Sequence, residues 1–191
     1  MLSNSLAGCL SSAESELEQF PSFRLVDEQG NNQNESMYEN ASFVAYFSAS
    51  WCSHCKPVLG SLNDTIPEGQ LIVFNIESRE QYSDMNEWKE RMESELEREL
   101  PHPFVHAPPL AQSLEVSKIP TVFFVNSDGM IEYSPSGLTD KEILEEYWDS
   151  ISWLQRESFI KHPPCMQKGL ESINGECYFQ VYLLTEGSVV N

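Results

Sequence analysis

The chain has 191 residues, of which 40% are hydrophobic, so it can form one compact domain with extensions. It carries 11 basic and 30 acidic residues, which gives a formal net charge of −19. Such a charge repels nucleic-acid phosphates and anionic lipid surfaces, and this excludes a basic nucleic-acid-binding protein. No apolar run approaches the roughly 18 residues that a membrane-spanning helix needs.

The first 20 residues are expected to form a flexible leader or a lipoprotein tether, because Ser11 to Glu18 is polar, acidic and rich in small residues. Leu6-Ala7-Gly8-Cys9 is similar to the sequence at which a signal is cleaved before a cysteine that then receives lipid. Met1 to Ser5, however, has neither the basic residues nor the apolar stretch of a signal. The tetrapeptide is therefore either a chance match, or the start lies inside a longer signal and Cys9 is the site of lipid attachment.

The five cysteines bear on the compartment. Cys52 and Cys55 form one CxxC motif, Cys165 and Cys177 could form a second, structural disulfide, and Cys9 is then the odd one. Two disulfides and a lipidated cysteine imply an extracytoplasmic, oxidising compartment. The alternative is a cytoplasmic protein in which the three cysteines outside the CxxC motif are free thiols.

The first half of the chain shows a strand–helix–strand pattern. Phe23 to Val26 predicts a short strand, followed by turn-forming residues. Ser42 to Ser48 is almost continuously apolar, which is typical of a strand buried on both faces of a sheet. A helix is expected from about Ser53 to Asn63 and a second buried strand from Leu71 to Ile76, which together make a βαβ unit.

A longer amphipathic helix is predicted from about Met85 to Leu100, where apolar residues recur every three or four positions. Asp84 and Glu87 match the capping-box pattern at its start. Glu87 and Arg91 are spaced as an i,i+4 ion pair on the polar face. The apolar stripe predicts a packing face rather than a partner site.

The remaining elements follow in order. The predictions are an extended loop at Pro101 to Pro109, a short helix at Leu110 to Val116, a third apolar strand at Thr121 to Val125, a returning strand at Met130 to Tyr133, and a helix at Thr139 to Leu154. Beyond residue 154 the pattern weakens. The domain is therefore expected to span residues 21–154, with a C-terminal extension at residues 155–191.

The CxxC motif carries the most chemistry. It is compatible with half of a zinc site, a redox dithiol or a structural disulfide. Cys165 and Cys177 are separated by eleven residues, which disfavours a zinc site built from both pairs. The motif follows a buried strand and opens a helix, where the helix dipole and unpaired N–H groups favour a thiolate on Cys52. Cys52 could then attack a disulfide and be displaced by Cys55, while a His54 imidazolium would stabilise the reduced form.

Four segments resemble the thioredoxin-like superfamily, in its TlpA/ResA-like branch. They are Phe47 to Lys56 (FSASWCSHCK), Ile119-Pro120-Thr121, Pro21 to Asp27 with Gly30, and Asp128-Gly129-Met130-Ile131. The resemblance covers about residues 21–154. It implies an α/β thioredoxin fold, with a central mixed sheet flanked by helices, an N-terminal hairpin, a helical insertion and a C-terminal extension.

The same resemblance implies roles for further residues. Pro120 would be cis and lie against Cys52, the backbone of Ile119 would pair with a bound substrate strand, and Trp51 would form part of the surface around the active site. The implied substrates are protein thiols and disulfides, with a redox partner protein and without a cofactor or a metal.

Three departures from the family pattern leave the direction of exchange open. Tyr46 occupies the position of the buried acid that thioredoxins carry, so the usual proton acceptor for Cys55 is missing or replaced. Gly60 stands where many relatives have proline. The Ser53-His54 dipeptide is closer to those of oxidants and isomerases than to those of reductants.

Two other functions remain possible from the sequence: a non-catalytic binding module that keeps the fold, and a cytosolic tryparedoxin-like electron carrier. His102 and His106 lie among prolines, where a solvated loop is expected rather than a metal site.

Overall fold

The computed structural model describes residues 17–161, with side chains up to residue 152. The strands are β1 Arg24–Val26, β2 Asn32–Asn34, β3 Phe43–Ser48, β4 Leu71–Asn75, β5 Phe104–His106, β6 Thr121–Val125 and β7 Ile131–Tyr133. The helices are α1 Cys55–Thr65, α2 Met85–Leu96, α3 Pro108–Ser113 and α4 Lys141–Lys161. Short 3-10 turns occupy Glu35–Tyr38 and Tyr82–Asp84.

Five strands form a mixed sheet in the order β5-β4-β3-β6-β7. β3 is the central strand and pairs in parallel with β4, with Phe47 opposite Phe74. On its other side β3 pairs antiparallel with β6, with Phe47 opposite Thr121. The fold class is therefore the predicted one, a mixed α/β sheet, and the predicted N-terminal hairpin is formed by β1 and β2.

Each face of the sheet builds its own core, because successive side chains of a strand point to opposite faces. Val44 and Tyr46 of β3 face a cluster formed with α1, α2 and α4. Phe43 and Phe47 face the other cluster, which is rich in phenylalanine and is covered by the N-terminal segment and α3. All six β3 residues are buried, which explains the nearly continuous apolar sequence.

The prediction of an extended loop at Pro101 to Pro109 is wrong in its centre. Phe104–His106 forms β5, which pairs in parallel with β4. Phe104 and Val105 are fully buried, and Val105 also bridges to Asp27 of the hairpin turn. The flanking prolines lie outside the strand, where they remove no hydrogen bond from the ladder.

The long helices differ at their ends from the predictions. α2 stops at Leu96 because Glu97 adopts a left-handed conformation, with φ of 55°. Its start is not capped by the side chain of Asp84. Asp84 is instead the last member of a capping box with Gln81, one turn earlier. α4 begins at Lys141, and the backbone carbonyl of Asp140 accepts from the N–H groups of Ile143 and Leu144.

The N-terminal part of the described chain joins the fold before the predicted boundary at residue 21. Gln19 bridges to Met130, and the N–H of Phe20 donates to the carbonyl of Gly129 over 2.9 Å. The ring of Phe20 is buried among Phe23, Phe43 and Phe123.

Three predicted cysteine sites lie outside the described residues. They are Cys9 in the predicted leader, and Cys165 and Cys177 in the predicted C-terminal extension. Among the described helices, none combines the length and the apolar character needed to cross a membrane.

Candidate active site

The CxxC motif lies at the carboxyl end of the central strand. β3 ends at Ser48, and the chain turns through residues 49–54 before α1 begins at Cys55. The N–H of Cys52 donates to the carbonyl of Ala49 (3.1 Å), and the N–H of Cys55 donates to the carbonyl of Cys52 (3.2 Å). Cys52 and Cys55 form a disulfide, with their Cα atoms 5.4 Å apart.

The two sulfur-bearing residues differ in exposure. Cys55 is buried, with 3% of its surface exposed, whereas Cys52 is only half-buried. Ser53 and His54 between them are exposed, and His54 precedes the first residue of α1 without capping it through its side chain. A thiolate from another protein can therefore approach Cys52 and not Cys55.

Tyr46 lies directly beneath the motif. Its hydroxyl donates to the carbonyl of Cys55 over 2.7 Å, and the residue is completely buried. Burial raises the pKa of the Tyr46 phenol, so the side chain is neutral at physiological pH. At the position of the acid in thioredoxins, this chain has a hydrogen-bond donor that holds the first turn of α1.

The Ile119–Pro120 loop reaches the same edge of the sheet. The peptide bond between these residues is cis. The next residue, Thr121, opens β6 and pairs with Phe47 of β3. Ile119 and Cys52 are both half-buried and pack against the same hydrophobic cluster. The carbonyl of Pro120 accepts from the N–H of Gly137 (2.8 Å), whereas within residues 17–161 the backbone groups of Ile119 have no hydrogen-bond partner.

Trp51 is exposed by 61% and is held at its polar edge. Its indole N–H donates to Oε2 of Glu77 over 2.9 Å. The guanidinium of Arg79 donates two hydrogen bonds to the same carboxylate, each 2.8 Å long. The hydrogen bond from Arg79 is the main reason that the pKa of Glu77 is lowered to about 2. Glu77 is therefore ionised at any physiological pH.

A second contact between these two loops involves Ser50. The Ser50 hydroxyl donates to Oε1 of Glu80. Arg91 of α2 donates to the carbonyl of Ser50 over 2.7 Å, instead of forming the ion pair with Glu87 that the helical spacing suggested. Sequence reasoning missed Glu77, Glu80 and Arg91. The signal was available, since residues 76–80 follow a strand parallel to β3, and the carboxyl ends of parallel neighbours meet at one edge.

The two histidines of the β5 region lie in different environments. Nε2 of His106 is 3.2 Å from the carbonyl oxygen of Glu77, at the rim of the site. His102 is buried, with 1% exposed. Among the described residues, no group of three or more potential metal-binding side chains occurs.

Solved structures with the same architecture come from several bacteria. A thiol:disulfide interchange protein of the thioredoxin family from Chlorobium tepidum superposes with a TM-score of 0.60 at 16% identity, over 73% of this chain and 99% of that one. StoA from Bacillus subtilis gives 0.52 at 24% identity, over 67% and 96%. The exposed lipoprotein thioredoxin of Streptococcus pneumoniae gives 0.56 at 20% identity, over 66% and 98%.

These likenesses confirm the thioredoxin fold. No curated protein matches the chain significantly by sequence. The sequence model of the AhpC/TSA family matches residues 17–134, which is more than half of the chain. The chain therefore belongs to the AhpC/TSA family, and its thioredoxin-like architecture agrees with the resemblance to the TlpA/ResA-like branch.

Proposed function

We propose that this protein is a thiol–disulfide oxidoreductase that exchanges disulfides with protein thiols through Cys52 and Cys55. One observation carries the proposal: a disulfide at the start of α1 whose first cysteine is reachable and whose second is buried. A purely structural disulfide gains nothing from this asymmetry, whereas an exchange reaction requires one sulfur to be attacked and the other to leave.

The reaction transfers two electrons and can run in either direction. A substrate thiolate attacks the sulfur of Cys52, a substrate–Cys52 disulfide forms, the Cys52–Cys55 bond breaks, and Cys55 leaves as a thiolate. A second substrate thiolate then attacks the substrate sulfur of the mixed disulfide and releases Cys52. The substrate is oxidised to a disulfide and the pair is reduced to a dithiol. In the reverse direction, Cys52 attacks a substrate disulfide and Cys55 resolves the intermediate.

The neighbouring residues have supporting roles in this proposal. The unpaired backbone groups of Ile119 pair with an extended substrate segment, beside Pro120. Trp51 offers an exposed apolar surface next to Cys52. His54, when protonated, stabilises a nearby thiolate and makes the pair more oxidising. Tyr46 keeps the first turn of α1 in place.

The proposed setting is extracytoplasmic, with Cys9 as a lipid anchor, Cys165–Cys177 as a structural disulfide and a separate redox partner protein. Support comes from one structural neighbour, the exposed lipoprotein thioredoxin of Streptococcus pneumoniae, and from the number of cysteines, which allows two disulfides and one lipid-attachment site. A cytoplasmic carrier remains the alternative. Detection of the protein in the membrane fraction, lost on Cys9→Ser, is the expected result for the anchored form.

Cysteine substitutions test the proposed reaction. We expect Cys52→Ser to abolish both insulin reduction and dithiol oxidation, and Cys55→Ser to accumulate mixed disulfides with substrate proteins. The triple variant Cys9→Ser/Cys165→Ser/Cys177→Ser keeps only the CxxC pair and should retain turnover. Full turnover of Cys52→Ser would show that the reaction does not pass through this pair.

The direction of exchange follows from the reduction potential of the pair. A value near −270 mV is typical of thioredoxin-like reductants, and a value near −120 mV is typical of strong oxidants. The His54 side chain favours the oxidising end of this range, and His54→Pro is expected to lower the potential.

A further inference from the structure

The loop after β4 is organised by one buried amide. Asn75, the last residue of β4, is completely buried. Its carbonyl oxygen Oδ1 accepts from the N–H of Glu77 over 2.9 Å, and its Nδ2 donates to Oε2 of Glu80 over 2.7 Å. The carboxylate of Glu80 is thereby fixed relative to the sheet, since its anchor belongs to a core strand.

The carboxylate of Glu80 holds Ser50, which lies two positions before Cys52. Glu80 receives the Ser50 hydroxyl on its second oxygen, Oε1. The carbonyl of Ser50 is held independently by Arg91 of α2. Ser50 is therefore bound through both its side chain and its main chain, and the turn from Ala49 to Cys52 is tied to β4 and α2.

Resting on the function proposed above, we propose that Glu80 is a positioning residue that sets the thiol–disulfide equilibrium of the Cys52–Cys55 pair by holding Ser50. Two effects favour the disulfide state. The hydrogen bond to Ser50 is present in the disulfide state, and under this proposal it weakens when reduction moves the loop, so it favours the disulfide. Glu80 holds Ser50, two positions before Cys52, so its negative charge also disfavours a thiolate on Cys52, and only the reduced state carries such a charge.

The two effects can be separated, because the chain offers a matched carboxylate. Glu87 lines the same small pocket as Ser50, Glu80 and Arg91. Within the described residues Glu87 has no hydrogen-bond or ion-pair partner. Glu87→Gln thus removes the same charge from the same pocket and leaves Ser50 in place. Ser50→Ala removes the hydrogen bond without changing any charge, and Ser50→Thr restores a hydroxyl.

The experiment measures the equilibrium constant of the pair against glutathione, with the full-length chain and each variant. We expect Glu80→Gln to shift the equilibrium about fivefold toward the dithiol, which is ~20 mV more oxidising for a two-electron couple. Ser50→Ala should shift it about threefold in the same direction, Ser50→Thr less than twofold, and Glu87→Gln less than twofold. In the Ser50→Ala background, Glu80→Gln should add no more than Glu87→Gln does alone.

Two results would overturn the proposal: an unchanged equilibrium in Ser50→Ala, or equal shifts in Glu80→Gln and Glu87→Gln. Thermal unfolding of each variant checks that it is folded. Failure of this proposal and failure of the proposed function are distinguishable, because exchange with glutathione needs no protein substrate. A wild-type protein that equilibrates with glutathione but never with protein disulfides would refute the oxidoreductase function and still leave the Ser50 comparison decisive.

Discussion

His102 should make the stability of the fold strongly dependent on pH. The residue is 1% exposed, and neither ring nitrogen has a hydrogen-bond partner within the described residues. Burial, with a smaller contribution from the positive charge of Lys89, lowers the pKa of His102 from 6.5 to about 4. The His102 ring is therefore protonated only near pH 4 in the folded protein, whereas in the unfolded chain it binds a proton near pH 6.5.

The size and sign of the effect follow from linkage. Above about pH 6.5 the ring is neutral in both states and contributes nothing to the pH dependence. As the pH falls from 6.5 to about 4, the unfolded state binds a proton that the folded state does not, so the free energy of unfolding decreases. A pKa difference of about 2.5 corresponds to a loss of about 3 kcal/mol, which is complete below pH 4.

Chemical denaturation at several pH values, for wild type and His102→Gln, measures this loss. The two proteins have the same carboxylates, so the difference between the two curves isolates His102. We expect the wild type to lose about 3 kcal/mol more than the variant between pH 7 and pH 4. Parallel curves, or an NMR titration of the His102 ring with a pKa near 6.5, would refute the reasoning.

Two further predictions concern stability and are checked by urea denaturation. Lys89 pairs with Glu28 over 2.5 Å, and their side chains are only 13% and 2% exposed. Lys89→Met should therefore lower the free energy of unfolding by about 3–5 kcal/mol, because it leaves a buried carboxylate unpaired. The double variant Lys89→Met/Glu28→Gln should lose less stability than Lys89→Met alone, and an equal or larger loss would contradict this explanation. Gly60→Ala in α1 should stabilise the fold by about 0.5–1 kcal/mol, because alanine lowers the backbone entropy of the unfolded chain. The new Cβ meets only the half-buried Leu96 side chain, at 3.2 Å. A destabilised variant would show that Leu96 cannot move away.

The part of the site that sequence could predict is local along the chain. Cys52 and Cys55 lie within a few residues of a strand whose burial is evident from its composition, and the following helix is evident from its spacing. The sequence predicts β6, Thr121–Val125, with its observed bounds, because a nearly continuous apolar run is typical of a strand buried on both faces of the sheet. Such features need no knowledge of which strands are neighbours.

What sequence could not predict depends on neighbours that are distant along the chain. β5 has three residues, among prolines, and owes its conformation to pairing with β4 and with Asp27. Arg91 was expected to pair with Glu87 on its own helix, but it donates to the carbonyl of Ser50, 41 positions away. An i,i+4 pair on an exposed helix gives only about 0.2–0.5 kcal/mol, which a charge-assisted hydrogen bond to a carbonyl exceeds.

The strand order explains why two distant segments meet the CxxC motif. β3 runs toward Cys52 and lies between β4 and β6. Because β4 is parallel to β3, its following loop, residues 76–80, emerges at the same edge. Because β6 is antiparallel, the loop that precedes it, residues 118–120, enters at that edge. Substitutions in these two loops should therefore change the reactivity of Cys52. A groove at the opposite edge is lined by Tyr38, Glu39, Phe43 and Asp128, and substitutions there should change the free energy of unfolding and leave the reactivity of Cys52 unchanged.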